Sequence, residues 1–297
     1  MRLRTKLLGL LVVACAFALP LGPGGAPAHG SPLGPSTALH YTANGNFDPS
    51  GAYTPGGLGF NIADVSSPAL LADLPAHVQA LAYVGTCNGA DATFRATVDA
   101  YRGLPNLFGF YLMDDADPTG RFGPLCTAAN LAAESDYVHT TLPGARTFVL
   151  LMNLSASTSP SFAGGYTPAN SHVDLFGVDP YPCRTELHGC DLDMIRRYVT
   201  SAQGSGVPVA DMVPVYQTFG LGGWADDGGG RYAVPSAAEM QQMLAVWATL
   251  VARPVFDYAY SWGVQRDDQA LSGLPAVQRI VAQHNILGAP RSPERAT

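Results

Sequence analysis

The stretch Leu107-Phe108-Gly109-Phe110-Tyr111-Leu112-Met113-Asp114-Asp115-Ala116-Asp117-Pro118 decides how this chain folds. Its first seven residues are apolar or aromatic with no polar alternation, the mark of a parallel strand buried on both faces. Three acidic residues then follow within four positions. Only 13% of the chain is charged, so carboxylates gathered at the end of a buried strand demand a reason. In parallel α/β folds the C-terminal strand ends converge on one face, where sites are built.

Similar runs recur on either side: Leu58–Ala63, Gln79–Val84, Thr147–Met152, Val173–Val178, Met212–Tyr216 and Phe256–Trp262. Helix-like segments at 68–74, 91–102, 127–139, 191–203, 236–251 and 274–284 separate them. Ser236 with Glu239 three residues on forms a capping box. Strand–helix alternation over about 250 residues predicts a single (β/α)₈ barrel at 37–287. Ala38–Thr42 is the candidate first strand, which makes 107–112 the fourth; otherwise a strand is hidden in 158–170. An open doubly wound sheet is disfavoured, because Asn61-Ile62-Ala63-Asp64 carries no Gly-rich phosphate loop.

The N-terminus reads as an export signal: basic residues Arg2, Arg4 and Lys6, an apolar run Leu7–Leu19, and Ala26-Pro27-Ala28 as cleavage site. Val12-Val13-Ala14-Cys15 as a lipoprotein box is the rival. Residues 29–36 read as a linker and 288–297 as a tail. Without residues 1–28, three of the 16 basic residues go, against 23 acidic ones, a net charge near −10 with no lysine. That balance excludes nucleic acid and anionic lipid surfaces as partners. A secreted monomer is the expectation. Four cysteines then remain and suit two disulfides in an exported chain. Of three pairings, Cys183–Cys190 with Cys87–Cys126 is favoured, since the first closes a short loop. No C-x-x-C or H-x-x-x-H spacing suggests zinc, and no nucleotide, flavin or haem motif implies a cofactor.

Collecting polar groups at the strand ends gives a short list: Asp64; Asp114, Asp115 and Asp117; Asn153; Asp179 and Tyr181; Tyr216 and Gln217; Ser261, Trp262 and Gln265, with Tyr111 inside the fourth strand. An acidic, aromatic, amide-rich rim without a Ser-His-Asp set suits a neutral polyhydroxylated ligand. Gly109–Pro118 resembles the G-[WF]-Y-x-x-D-E-P strand end of glycoside-hydrolase-like TIM barrels. Asp174-Leu175-Phe176-Gly177-Val178-Asp179-Pro180-Tyr181-Pro182 is similar to their D-x-x-G-x-D-x-Y-P strand, and Pro214–Gly220 and Tyr260–Gly263 to their last two. The resemblance implies a glycosidase. Two departures stand out: Asp115 occupies the position of the usual Glu, and Tyr216-Gln217 stands where a seventh-strand Glu nucleophile would be.

Glycoside hydrolysis needs a protonated carboxyl and a second carboxylate across the scissile bond. The sequence suggests Asp115 as general acid and Asp179 as its partner, with Asp64 the alternative partner and Asp114 raising the Asp115 pKa by like charge. A carbohydrate-binding barrel without catalysis is the other class of reading. Asp117-Pro118 reads as a turn and Trp247 as core. Trp224 lies in a Gly-rich loop, 220–230, that reads as a flap over the rim or as plain disorder. Asp226-Asp227 in that loop match no known calcium-loop spacing. His40, His77, His139, His172 and His188 read as ordinary residues.

Overall fold

The computed structural model describes residues 34–225 and 230–287. The proposed signal segment, most of the linker, Asp226-Asp227 and the tail lie outside them. Eight parallel strands close into a barrel: β1 His40–Thr42, β2 Ile62–Val65, β3 Gln79–Tyr83, β4 Leu107–Ala116, β5 Arg146–Leu151, β6 Leu175–Val178, β7 Met212–Gln217 and β8 Asp257–Tyr260. The short β1 is the missing eighth strand; it pairs with β8 on one side and β2 on the other. Helices α1 Pro68–Ala72, α2 Ala92–Asp99, α3 Ala128–Thr141, α4 Pro168–Ser171, α5 Asp193–Gly204, α6 Ala237–Leu250 and α7 Pro275–Leu287 wrap the outside. The Ser236–Glu239 capping box opens α6 as the sequence predicts.

Strand alternation sorts the apolar residues into two layers. Tyr41, Ile62, Leu81, Phe148, Leu150, Val213, Val215, Phe256 and Tyr258 fill the lumen. Phe110, Leu112, Val149, Phe176, Tyr216 and Ala259 face outward to meet Val98, Leu131, Ile195, Trp247 and Val281 of the helices. A polar clamp seals the first strand to the last. The Asp257 carboxylate, 2% exposed, receives His40 Nδ1 at 2.8 Å, His284 Nε2 at 2.6 Å and the Tyr216 hydroxyl at 3.0 Å. These side chains come from β8, β1, α7 and β7, so one carboxylate ties the closing seam to the last helix.

Three boundaries differ from the sequence expectation. The run at 58–63 is broken by a 3-10 turn, Pro55–Leu58, and by Gly59 in the left-handed region, so β2 begins later and contains Asp64. β4 runs on to Ala116, which puts Asp114 and Asp115 inside the strand. The segment 158–170 holds no strand; α4 begins there instead. Gly109 is required where β4 crosses β5, because a Cβ there would lie 2.0 Å from the Arg146 carbonyl oxygen.

Both disulfides have the expected pairing. Cys87–Cys126 joins the β3–α2 and β4–α3 loops, and Cys183–Cys190 closes a two-stranded hairpin after β6. Both therefore staple loops on the C-terminal face. Two disulfides suit an extracellular protein, and among the described residues no helix is long and apolar enough to cross a membrane.

Candidate functional site

The end of β4 is irregular in a way that serves its carboxylates. Between the pairs Tyr111–Phe148 and Ala116–Leu151, β4 advances five residues while β5 advances three. Two extra residues are thus bulged into β4, a device that re-aims side chains beside sites. Asp115 sits at φ +46°, a left-handed conformation that Asp tolerates better than most residues. As a result Asp114 turns into the lumen, where the Tyr111 hydroxyl donates to its Oδ1 at 2.5 Å, while Asp115 is exposed at the lip.

Asp64 and Asp179 join them from β2 and the end of β6. The Asn44 amide donates to Asp64 Oδ2 at 3.0 Å, and the Asp64 amide donates to Asn46 Oδ1 at 2.9 Å, fixing the β1–β2 loop over the strand end. Burial raises the pKa of Asp64, and the Asp114 charge adds to it. Burial also raises Asp114, opposed by the Tyr111 hydroxyl. Asp179 is held well above the ordinary carboxylate range, first by its position low in the mouth and then by the charges of Asp115 and Asp114. Four carboxylates from three strands therefore share one field.

Tyrosines surround them. Tyr41 and Tyr258 stand edge to face at 4.6 Å, and Tyr83 meets Tyr111 at 5.3 Å. Tyr181 stacks on Tyr260 at 5.8 Å, and both pack against Phe219. Trp224 and Tyr232 extend this wall, with Arg266 4.2 Å over the Trp224 ring and Arg184 over Tyr232. Sequence inspection of strand ends alone passes over Tyr41, Tyr83, Tyr232, Tyr258 and Tyr260. The signal was the period-2 series Phe256, Tyr258, Tyr260, which puts Phe256 just before β8 and Tyr258 and Tyr260 within it on one inward-facing row.

Other sequence candidates do different work. Tyr216 faces outward onto the Asp257 clamp and Trp247. Gln217 is fully buried, its amide bonded to both backbone groups of Cys183 and to the carbonyls of Phe219 and Ala233, so it anchors the hairpin. Asn153 organises its own loop through Ser155 and Ser161 and meets the Tyr198 hydroxyl. Trp262 packs on Phe60 in the outer layer, and Ser261 is fully buried behind the rim. Gln265 accepts the Tyr260 hydroxyl at 2.6 Å and so borders the mouth. Asp117 is a turn: Thr119, Phe122 and Gly123 amides and the Thr119 hydroxyl hold it, lowering its pKa.

One described cluster has metal-ligand chemistry, His40, Asp257 and His284. Its nitrogens lie at hydrogen-bond distance from separate oxygens of Asp257, with the carboxylate itself at the centre, as suits a clamp.

No protein-family model matches the chain, and no curated protein matches it. Solved structures do. A chitinase-like agglutinin from Robinia pseudoacacia superposes with a TM-score of 0.50 at 13% identity, over 83% of this chain and 98% of that one. Catalytic domain 2 of a group II chitinase from Ostrinia furnacalis gives 0.48 at 12%, over 77% and 90%. A chitinase from Rhizomucor miehei gives 0.45 at 14%, over 77% and 88%. The likeness at these identities is one of fold, an eight-stranded parallel barrel.

Proposed function

We propose that this protein is a secreted glycoside hydrolase that cleaves a polysaccharide at the C-terminal mouth of the barrel. The observation that carries this reading is Asp179, sunk among tyrosines with Asp114 and Asp115 beside it. Burial and the neighbouring charges favour the protonated form of this carboxyl, the form that can donate to a glycosidic oxygen. Asp115, exposed at the lip, then serves as the second carboxylate, as nucleophile or as base toward water. This exchanges the roles that the sequence suggests for the two residues. Asp114 keeps Asp179 protonated by its charge, and Asp64 is the alternative second carboxylate. The aromatic wall from Tyr181 to Trp224 supplies faces on which sugar rings stack.

Reducing-end release from a polysaccharide panel tests the assignment. Asp179→Asn and Asp115→Asn should each cut turnover by about 10²–10⁴-fold. Retained turnover in Asp179→Asn, with the variant folded by circular dichroism, would remove it from the donor role. Tight oligosaccharide binding without cleavage by the wild type would favour a binding barrel, the reading suggested by the departures from the two-Glu pattern.

A further inference from the structure

We infer that the seam closing the barrel is an acid-sensitive lock: His40 and His284 around Asp257 hold at most one proton between their rings beyond the neutral forms while β1 and β8 are paired, and the second proton that acid supplies parts the two strands. The lock does not depend on what the mouth binds.

The geometry sets the charge count. The side chains of His40, Asp257 and His284 are 1%, 2% and 1% exposed. His40 Nδ1 lies 2.8 Å from one carboxylate oxygen and His284 Nε2 lies 2.6 Å from the other, so each ring points one N–H at Asp257. The outer nitrogens, His40 Nε2 and His284 Nδ1, are buried with no partner. With both rings neutral the cluster carries a single negative charge. One added proton balances it, and a second leaves a buried positive charge whose outer N–H has no acceptor, a costly state. Burial pushes the Asp257 carboxyl up, but the two histidines reverse this and hold it below the usual carboxylate range, so it stays charged while the rings titrate.

Nothing packed around the cluster can balance the second proton. Among the described residues Asp257 forms ion pairs with these two histidines alone. From β7 the Tyr216 hydroxyl donates to Asp257 Oδ2, and burial with the Asp257 charge keeps it protonated well above its ordinary range. The α6 residues here are Leu244 and Trp247, and the acid of that helix, Glu239, is bound to its own N-cap. Arg279 on α7 and Arg253 before β8 are exposed. The chain entering β1 covers the cluster, since a Cβ on Gly34 would lie 2.8 Å from His284 Nδ1.

Once the seam opens, both rings meet water and titrate as ordinary histidines between pH 5 and 8. The open state then binds two protons in acid where the closed state binds one. Closure is therefore lost as pH falls, by up to about tenfold per pH unit. The effect reaches the mouth, because β1 runs into the turn that holds it. The Ala43 and Asn44 carbonyls accept the Trp262 and Gly263 amides, and the Asn44 amide donates to Asp64.

Hydrogen exchange of the full chain, read by mass spectrometry from pH 6.5 to pH 4.5 and corrected for intrinsic rates, tests the lock. Protection of the β1 and β8 amides should fall about tenfold or more relative to that of β4 and β5. His40→Asn and His284→Gln each keep an N–H toward Asp257 but cannot take a proton, so either should abolish that relative loss. Equal loss in all strands, no loss at β1 and β8, or a loss that persists in both variants would overturn the inference. The wild type gives a check that needs no variant. The ring Cε1–H resonances of His40 and His284 should not both reach their protonated shifts while the seam amides stay protected, and if they do, the lock is refuted. Stoichiometric zinc uptake that is lost in both variants would refute it too, by making the cluster a metal site.

Discussion

Glu134 on α3 gives a stability prediction whose size can be worked from the structure. The residue is 0% exposed; its Oε1 accepts the Gly89 amide at 3.0 Å, and its Oε2 is buried with no partner. Burial pushes its pKa up from 4.5 to about 8, against the pull of the Gly89 and Asn88 amides. The folded protein thus holds a proton that the unfolded chain releases near pH 4.5. The sign follows directly. The stability contribution is complete below about pH 4.5 and is lost as pH rises toward 8, at about 1.4 kcal/mol per pH unit and about 5 kcal/mol in all. Glu134→Gln keeps the acceptor for Gly89 and cannot ionise. In urea unfolding across pH 5–8, the stability of the variant relative to wild type should therefore climb by several kcal/mol and level off above pH 8. Other groups titrate in both proteins and cancel in the difference. A gap that stays flat within about 0.5 kcal/mol over that range would refute the reasoning.

Four further outcomes follow from the geometry. Asp257→Asn removes the charge that holds His40, His284 and Tyr216 across the barrel seam, and should cost about 3–5 kcal/mol in urea unfolding. A loss below about 1 kcal/mol would mean that the seam closes without it. Replacing Cys87 and Cys126 together by Ser opens a 39-residue loop and should cost roughly 4 kcal/mol by chain entropy, read as a lower melting temperature. Gly109→Ala should lower stability by more than the roughly 1 kcal/mol of an ordinary Gly→Ala change, since its Cβ meets the Arg146 backbone. If Asp179 is the proton donor, activity falls on the alkaline side, and Asp114→Asn should move that limb to lower pH by removing one charge that raises Asp179.

The barrel was legible because its strands are buried on both faces, and continuous apolar runs report that burial wherever they are long enough. β1 was the weakest strand to read: only Tyr41 among its three residues enters the lumen, and His40 and Thr42 look polar out of context. Their polarity is explained by partners far away in sequence, Asp257 and the Ala259 carbonyl. The candidate cluster was legible in its carboxylates and half illegible in the aromatics around them. Asp114, Asp115 and Asp179 announce themselves by standing at the ends of apolar runs. Tyr216 and Gln217 stand at a strand end too, but side-chain alternation sends Tyr216 outward, and Gln217 is consumed by the hairpin backbone. Which face a residue takes depends on register, and the β4 bulges that set it leave no composition signal.

Those bulges also explain why the mouth is so heavily braced. A left-handed Asp115 is a backbone conformation costing on the order of 1–3 kcal/mol, and it persists only where the surroundings over-determine it. Here they do. Just beyond it, Asp117 binds three backbone amides of the following turn, and Cys126 chains that turn to the β3–α2 loop. Across the mouth, Gln217 and the second disulfide fix the hairpin that follows Asp179 and Tyr181. The covalent and polar bracing of the βα loops falls on the two segments that carry Asp115 and Asp179. On the proposed hydrolase reading this bracing has a use, because proton transfer between substrate and side chain depends on fixed geometry.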